Sequence, residues 1–125
     1  MSAAQAINLR AKVAKLDAHW SPRVIGELDD HYAKVAKLKG SFTWHKHDDE
    51  DELFLVIDGR LKIEFEDHSV DLGPGEMCIV PRGVLHNPVA AEECSVLLIE
   101  KKSTQQTGDN ATAQTKSIAD QLRPL

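Results

Sequence analysis

His45 and His47 stand one residue apart in the run Thr43-Trp44-His45-Lys46-His47, and Glu52 follows at the end of the acidic stretch Asp48-Asp49-Glu50-Asp51-Glu52. In an extended segment, residues two apart project from the same face, so both imidazoles share one side and Trp44 and Lys46 take the other. Neutral imidazole is the commonest metal ligand, although a bare His-x-His is more often incidental. Glu52 opens the apolar run Leu53 to Ile57, where an unpaired carboxylate is costly to bury and a cation would offset the cost. His86 lies just past the turn Pro81-Arg82-Gly83 among Val84, Leu85 and Val89. On its own such a residue is more often a satisfied core histidine.

The elements around these residues are read from periodicity and turn chemistry. Residues 3 to 18 are rich in helix formers, with Ile7, Leu9, Val13 and Leu16 at partly helical spacing, and predict a short N-terminal helix. From Val24 onward short apolar runs alternate with turn signals such as Asp58-Gly59, Gly73-Pro74-Gly75 and Pro81-Arg82-Gly83, the texture of an all-β sandwich or barrel. Strands are expected at Tyr32 to Lys39, Phe42 to His47, Leu53 to Ile57, Arg60 to Glu66, Met77 to Val80 and Val96 to Glu100, in a set of about eight. Asp58-Gly59 reads as the tight turn of a hairpin joining Leu53–Ile57 to the following strand. In that following strand Leu61, Ile63 and Phe65 alternate with Lys62, Glu64 and Glu66, giving one wet and one buried face. Leu53 to Ile57 is apolar throughout, so both of its faces need cover. Beyond Ile99 the chain turns polar and reads as a mobile or partner-draped tail, with one or two helical turns possible within 115–123. The expected division is an N-terminal segment 1–23, a barrel 24–100 and a tail 101–125.

Two stretches resemble the paired motifs of the cupin superfamily. Gly40 to Gly59, GSFTWHKHDDEDELFLVIDG, is similar to the first motif, and Gly75 to His86, GEMCIVPRGVLH, to the second. The resemblance covers most of residues 24–100. It implies an all-β fold, a small antiparallel jelly-roll barrel, with a metal held by His45, His47, Glu52 and His86. Two positions depart from the pattern: four residues separate Gly40 from His45 rather than five, and the Asn that often closes the second motif is Ala90, with Asn87 beside the proposed ligand. Glu50 or Asp51 is a lesser alternative to Glu52 as the oxygen donor. With Glu52 inward, Phe54 and Val56 line a dry interior, while Leu53, Leu55 and Ile57 face out. A second subunit in a homodimer is the expected cover for that stripe, and the N-terminal helix is the competing one.

Three imidazoles and a carboxylate suit Mn, Fe, Ni, Co or Zn. Four protein ligands leave two positions on an octahedral ion and none on a tetrahedral zinc, so Mn or Fe is favoured for an enzyme. The resemblance implies a metal-dependent enzyme acting on a small oxygenated organic substrate, by dioxygenase-type oxidation or by isomerisation. The alternative is a non-catalytic ligand-binding or sensor module in which the metal holds a ligand or ties strands together. No other acid or histidine is placed inward by register, which leans toward redox chemistry or binding. His19, His31 and His68 are expected at the surface, Trp20 and Trp44 as packing residues pointing away from the site, and Arg82 as a surface residue or a contact for an anionic substrate.

The formal charge of −5 over 125 residues has the wrong sign for nucleic-acid binding. The longest apolar run has five residues, against about 20 for a membrane helix. No secretory signal is visible, and a cytoplasmic location is expected. Cys78 and Cys94, sixteen positions apart, read as two buried thiols.

Overall fold

The structure is a computed structural model and describes residues 4–125. Among the described residues seven strands form: β1 (Arg23–Leu28), β2 (His31–Ser41), β3 (Glu52–Asp58), β4 (Leu61–Phe65), β5 (Ser69–Leu72), β6 (Met77–Val80) and β7 (His86–Lys101), with short helices α1 (Leu9–Val13) and α2 (Ile118–Gln121) at the ends. The strand pairs are antiparallel, in the order β1-β2-β7-β3-β6, while β4 pairs with both β5 and β7. This is an antiparallel jelly-roll sheet with little helix. Its spine is β7: β2 runs beside most of it, β3 lies along its second half and β4 along its first.

Period-two alternation turns one face of each strand inward. Ala36 and Leu38 of β2, Phe54 and Val56 of β3, Leu61 and Ile63 of β4, and Val96 and Leu98 of β7 meet in the core. A smaller cluster forms on the outer face, where Leu16, Val35 and Ile57 pack with Leu9 and Val13 of α1 and with Leu125. The N-terminal helix is thus much shorter than 3–18. It spans five residues, capped by Asn8, whose side chain accepts from Ala11 N at 3.0 Å. So short a helix is marginal by itself and is held by the apolar face it packs on the sheet.

Three expectations are corrected. Asp58-Gly59 does not close a hairpin: the pairing with β7 passes from Glu52↔Glu100 to Asp58↔Ser95 and on to Lys62↔Val89 and Phe65↔His86, so β3 and β4 follow one another along the same neighbour. The two edges of β3 are already taken by β6 and β7, and the turn makes a corner instead. Gly59 has φ +86°, and a Cβ there would lie 2.8 Å from Cys94 Cβ. The strand expected at Phe42 to His47 is also absent. β2 ends at Ser41, and beyond it lies an isolated bridge between His45 and His86. Phe42 N donates to Pro88 O at 3.1 Å, but Pro88 has no N–H to return the bond, so the ladder stops.

Thirdly, residues 102–125 do not form a loose tail. Asp109 N donates to Lys46 O at 3.2 Å and Asp109 Oδ1 accepts from Lys46 N at 3.2 Å, while Asn110 Nδ2 donates to Trp44 O at 3.1 Å. A Cβ on Gly108, whose φ is +55°, would collide with the Lys46 carbonyl. Backbone groups in 42–51 that lack a strand partner must be satisfied somehow. A polar segment suits that task, which is why its composition resembles that of solvated chain.

Candidate metal centre

His45 and His86 are joined by reciprocal backbone bonds, His45 N to His86 O at 3.0 Å and His86 N to His45 O at 2.9 Å. The irregular 42–51 segment is thereby pinned to the start of β7, with the two imidazole centroids 4.4 Å apart. Gly83 N donates to His47 O at 2.8 Å, tying the Pro81-Arg82-Gly83 turn to the first motif. Glu52, the first residue of β3, faces the three rings. One ligand atom from each of His45, His47, Glu52 and His86 lies within 4.8 Å of the others, and all four side chains are buried. That separation is close to what one ion with ligand bonds of roughly 2.0–2.3 Å can bridge.

The imidazole orientations are set from behind. His45 Nδ1 lies 2.8 Å from Thr43 O and His86 Nδ1 lies 2.9 Å from Val84 O. A carbonyl only accepts, so Nδ1 carries the proton in each ring and Nε2 keeps a free lone pair. His47 Nε2, His86 Nε2 and Glu52 Oε1 are buried without a hydrogen-bond partner, although the two nitrogens lie 3.3 and 3.5 Å from that oxygen. Unsatisfied buried polar atoms are costly, and a cation placed among lone pairs and carboxylate would serve them together. The residues fit a metal.

The site is electrostatically divided. Burial, reinforced by neighbouring His86, lowers the His45 pKa to about 4. Burial also pulls His47 down, but the adjacent Glu52 carboxylate, with Glu50 and Asp109 beyond, outweighs it and leaves His47 raised. For Glu52, burial alone would raise the pKa, yet the close approach of His47 and His86, with Glu100 beside them, holds it well below the usual carboxylate range.

Glu100 was not anticipated, and it overturns the expectation that no other acid faces inward. It is the cross-strand partner of Glu52, buried, with Oε1 accepting from Lys34 Nζ at 2.7 Å and Oε2 unpartnered. Burial, then the adjacent Glu52, raises its pKa. Lys34 Nζ also donates to Gln121 Oε1 of α2 at 2.5 Å. The signal was present: Val96, Leu98 and Glu100 share one register, as do Lys34, Ala36 and Leu38.

Glu52, His45 and Glu100 line a cavity of about 30 Å³ with Ala36, Leu38, Phe54 and Leu98. Trp20, Pro22, Phe42, Pro88 and Gln106 complete it, so Trp20, expected to point away from the site, forms one of its walls. The physical reason is that Trp20 belongs to no strand. It sits in a turn bonded to β2, and strand register does not govern it. Trp44 is 40% exposed. The remaining acids of the 48–52 run stay outside: Asp51 Oδ1 accepts from Arg82 N at 2.9 Å and pairs with the Arg82 guanidinium at 3.5 Å, and Asp48 pairs with Lys46. His19, His31 and His68 each lie beside an exposed acid, away from the centre. Cys94 is buried and free, and Cys78 is free and half-buried.

Residues 32–100 match the Cupin domain family. A cupin-2 domain containing protein from Shewanella frigidimarina is 46% identical, with 76% of this chain and 93% of that one aligned at a TM-score of 0.75. Protein NMB1881 from Neisseria meningitidis is 32% identical over 78% of this chain and 99% of its own, with a TM-score of 0.71. The uncharacterized protein YdbB of Bacillus subtilis is 33% identical over 65% of this chain and 73% of its own length. With the family match spanning both motifs and the His/Glu cluster gathered as cupin metal sites are, the chain belongs to the cupin family.

Proposed function

We propose that His45, His47, Glu52 and His86 hold a divalent transition metal, Mn or Fe by preference, and that the protein is an enzyme acting on a small oxygenated organic molecule by oxidation or isomerisation. The observation that carries this is the set of three buried, unpartnered donor atoms facing one point beside a cavity. A bound ion of this kind supplies Lewis-acid polarisation and a template for oxygen ligands. The chain's own part is to keep the Nε2 lone pairs of His45 and His86 aimed inward through the Thr43 and Val84 carbonyls, and to exclude water with Phe54, Leu38 and Leu98. Glu100 adds a second carboxylate at the cavity, able to hold or release a proton at Oε2. Isomerisation therefore no longer lacks a proton-handling group, and the lean toward redox chemistry loses its basis.

The narrowness of the cavity favours a second reading, in which the metal only holds a small ligand or ties the strands together. Metal analysis of protein purified without added metal, followed by oxygen-consumption and isomerisation assays on catechols, diketones, thiols and keto sugars, separates the two. Absence of stoichiometric metal would remove both. Metal with no turnover on any class would leave the binding module.

We also propose a homodimer. Ile57 is covered by α1 and Leu16, but Leu53 and Leu55 stay half-buried beside exposed Met77 and Ile79 on the outer face. Sedimentation of the wild type and of Ile79→Glu is the test: a monomeric wild type sinks the idea.

A further inference from the structure

We propose that Trp20, clasped by Gln106, is the specificity-determining wall of the cavity and restricts it to ligands of a few heavy atoms, a proposal that rests on the metal-site reading above. Both residues lie outside the stretch matched to the family, 32–100, so this wall is contributed by the chain's flanks and not by the shared barrel. Trp20 has φ +54°, a left-handed conformation that bulky side chains rarely adopt and that persists only where its surroundings over-determine it. Three hydrogen bonds do so. Trp20 N donates to Lys37 O at 2.9 Å, its indole Nε1 donates to Lys39 O at 2.9 Å, and its carbonyl accepts from Gln106 Nε2 at 2.8 Å. The other end of the Gln106 amide is held in turn, with Oε1 accepting from Lys116 N.

The indole is thus fixed in a plane. It stacks on Phe42 at 4.5 Å between centroids and 13° between planes, and Phe42 meets the His45 ring edge-on at 5.7 Å. A rigid aromatic pair therefore stands directly against a candidate metal ligand. The opposite walls, Ala36, Leu38, Phe54 and Leu98, are core residues of β2, β3 and β7, and a close-packed core yields no space without wider rearrangement. About 30 Å³ remain between them, space for a chelating group of a few heavy atoms. A ligand with a ring has to displace Trp20.

The test uses the full chain loaded with Co²⁺ and two probes with one bidentate anchor and different bulk, acetohydroxamate and benzohydroxamate, followed by visible absorption. The wild type is expected to bind the smaller probe more tightly. Trp20→Ala should tighten benzohydroxamate at least about tenfold, the scale on which hydrophobic pockets discriminate by size, with little change for acetohydroxamate. Gln106→Ala, which keeps the indole but opens the clasp, should move the ratio the same way by less, and it decides the matter if Trp20→Ala does not fold. Parallel changes for both probes, an unchanged ratio, or a wild type indifferent to probe size would overturn the inference while leaving the metal site standing. Failure of the wild type to take up Co²⁺ would overturn the metal-site reading and this inference with it.

Discussion

The barrel interior has two ends of opposite character built on the same strands. At one, Val56 of β3 and Val96 of β7 face each other across the ladder and pack with Leu61 and Ile63, all essentially without solvent exposure. At the other, four residues along each of those strands, Glu52 faces Glu100, with Lys34 and three histidines around them, just as buried. The apolar end stabilises the fold through burial, at roughly 1.5–3 kcal/mol for a large aliphatic side chain. Desolvating the ionisable end costs stability that imperfect pairing does not return. One end holds the barrel together and the other is carried by it, a division expected of a chemical site.

Several substitutions test that division. The largest effect should follow His86→Ala or His45→Ala: bound metal falls to near zero by elemental analysis, whereas His68→Ala, beside exposed Asp67, keeps it. Unchanged metal in the first two would erase the distinction between the ends. Next comes Lys34→Met, which strands Glu100 as a buried, unpaired carboxylate and should cost about 3–5 kcal/mol in denaturant unfolding. Adding Glu100→Leu should recover most of that loss, because a buried ion pair replaced by apolar groups of similar volume is often neutral or stabilising. A double variant as unstable as the single would mean that the pair contributes to stability after all. Ile63→Ala, at the apolar end, should cost about 2–5 kcal/mol while leaving metal stoichiometry intact at temperatures where the protein stays folded.

The smallest effect is in pH. Without metal, His45 titrates in the fold near 4, below its ordinary 6.5, so the unfolded chain takes up a proton that the fold refuses and stability falls as pH drops from 6.5 toward 4. His47 opposes this. Its folded pKa is raised, so its contribution is present below 6.5 and is lost as pH rises through the folded value. Metal must displace that same proton, so its affinity should begin to weaken above pH 6.5 and decline by up to about tenfold per unit below. Metal titrations from pH 8 to pH 5.5 check this, and a flat affinity would show that His47 is not a ligand.

The motif spacings made the four clustered residues legible because three lie within eight positions and the fourth follows a glycine turn. Glu100 was hidden because its meaning comes from its ladder partner, and nothing in Val96 to Glu100 alone names Glu52 as that partner. Asp58-Gly59 carried a correct turn chemistry and an incorrect inference about what the turn joins, since a hairpin and a corner ask the same of Gly59. Trp20 and the 102–125 segment were misread for a related reason. Their conformations are set by hydrogen bonds to other parts of the chain, and neither periodicity nor polarity reports such bonds.

The bond from Lys34 to Gln121 spans 87 positions. Translation delivers β2 early and α2 only after every strand of the barrel has been made, so the ammonium buried at the centre waits for its amide partner through most of the chain's synthesis. Closing so long a loop is entropically slow compared with pairing neighbouring strands. The pairing of the ammonium is therefore complete only when the C-terminal helix is docked, and a chain shortened by α2 should keep its apolar end while leaving Lys34 one acceptor short.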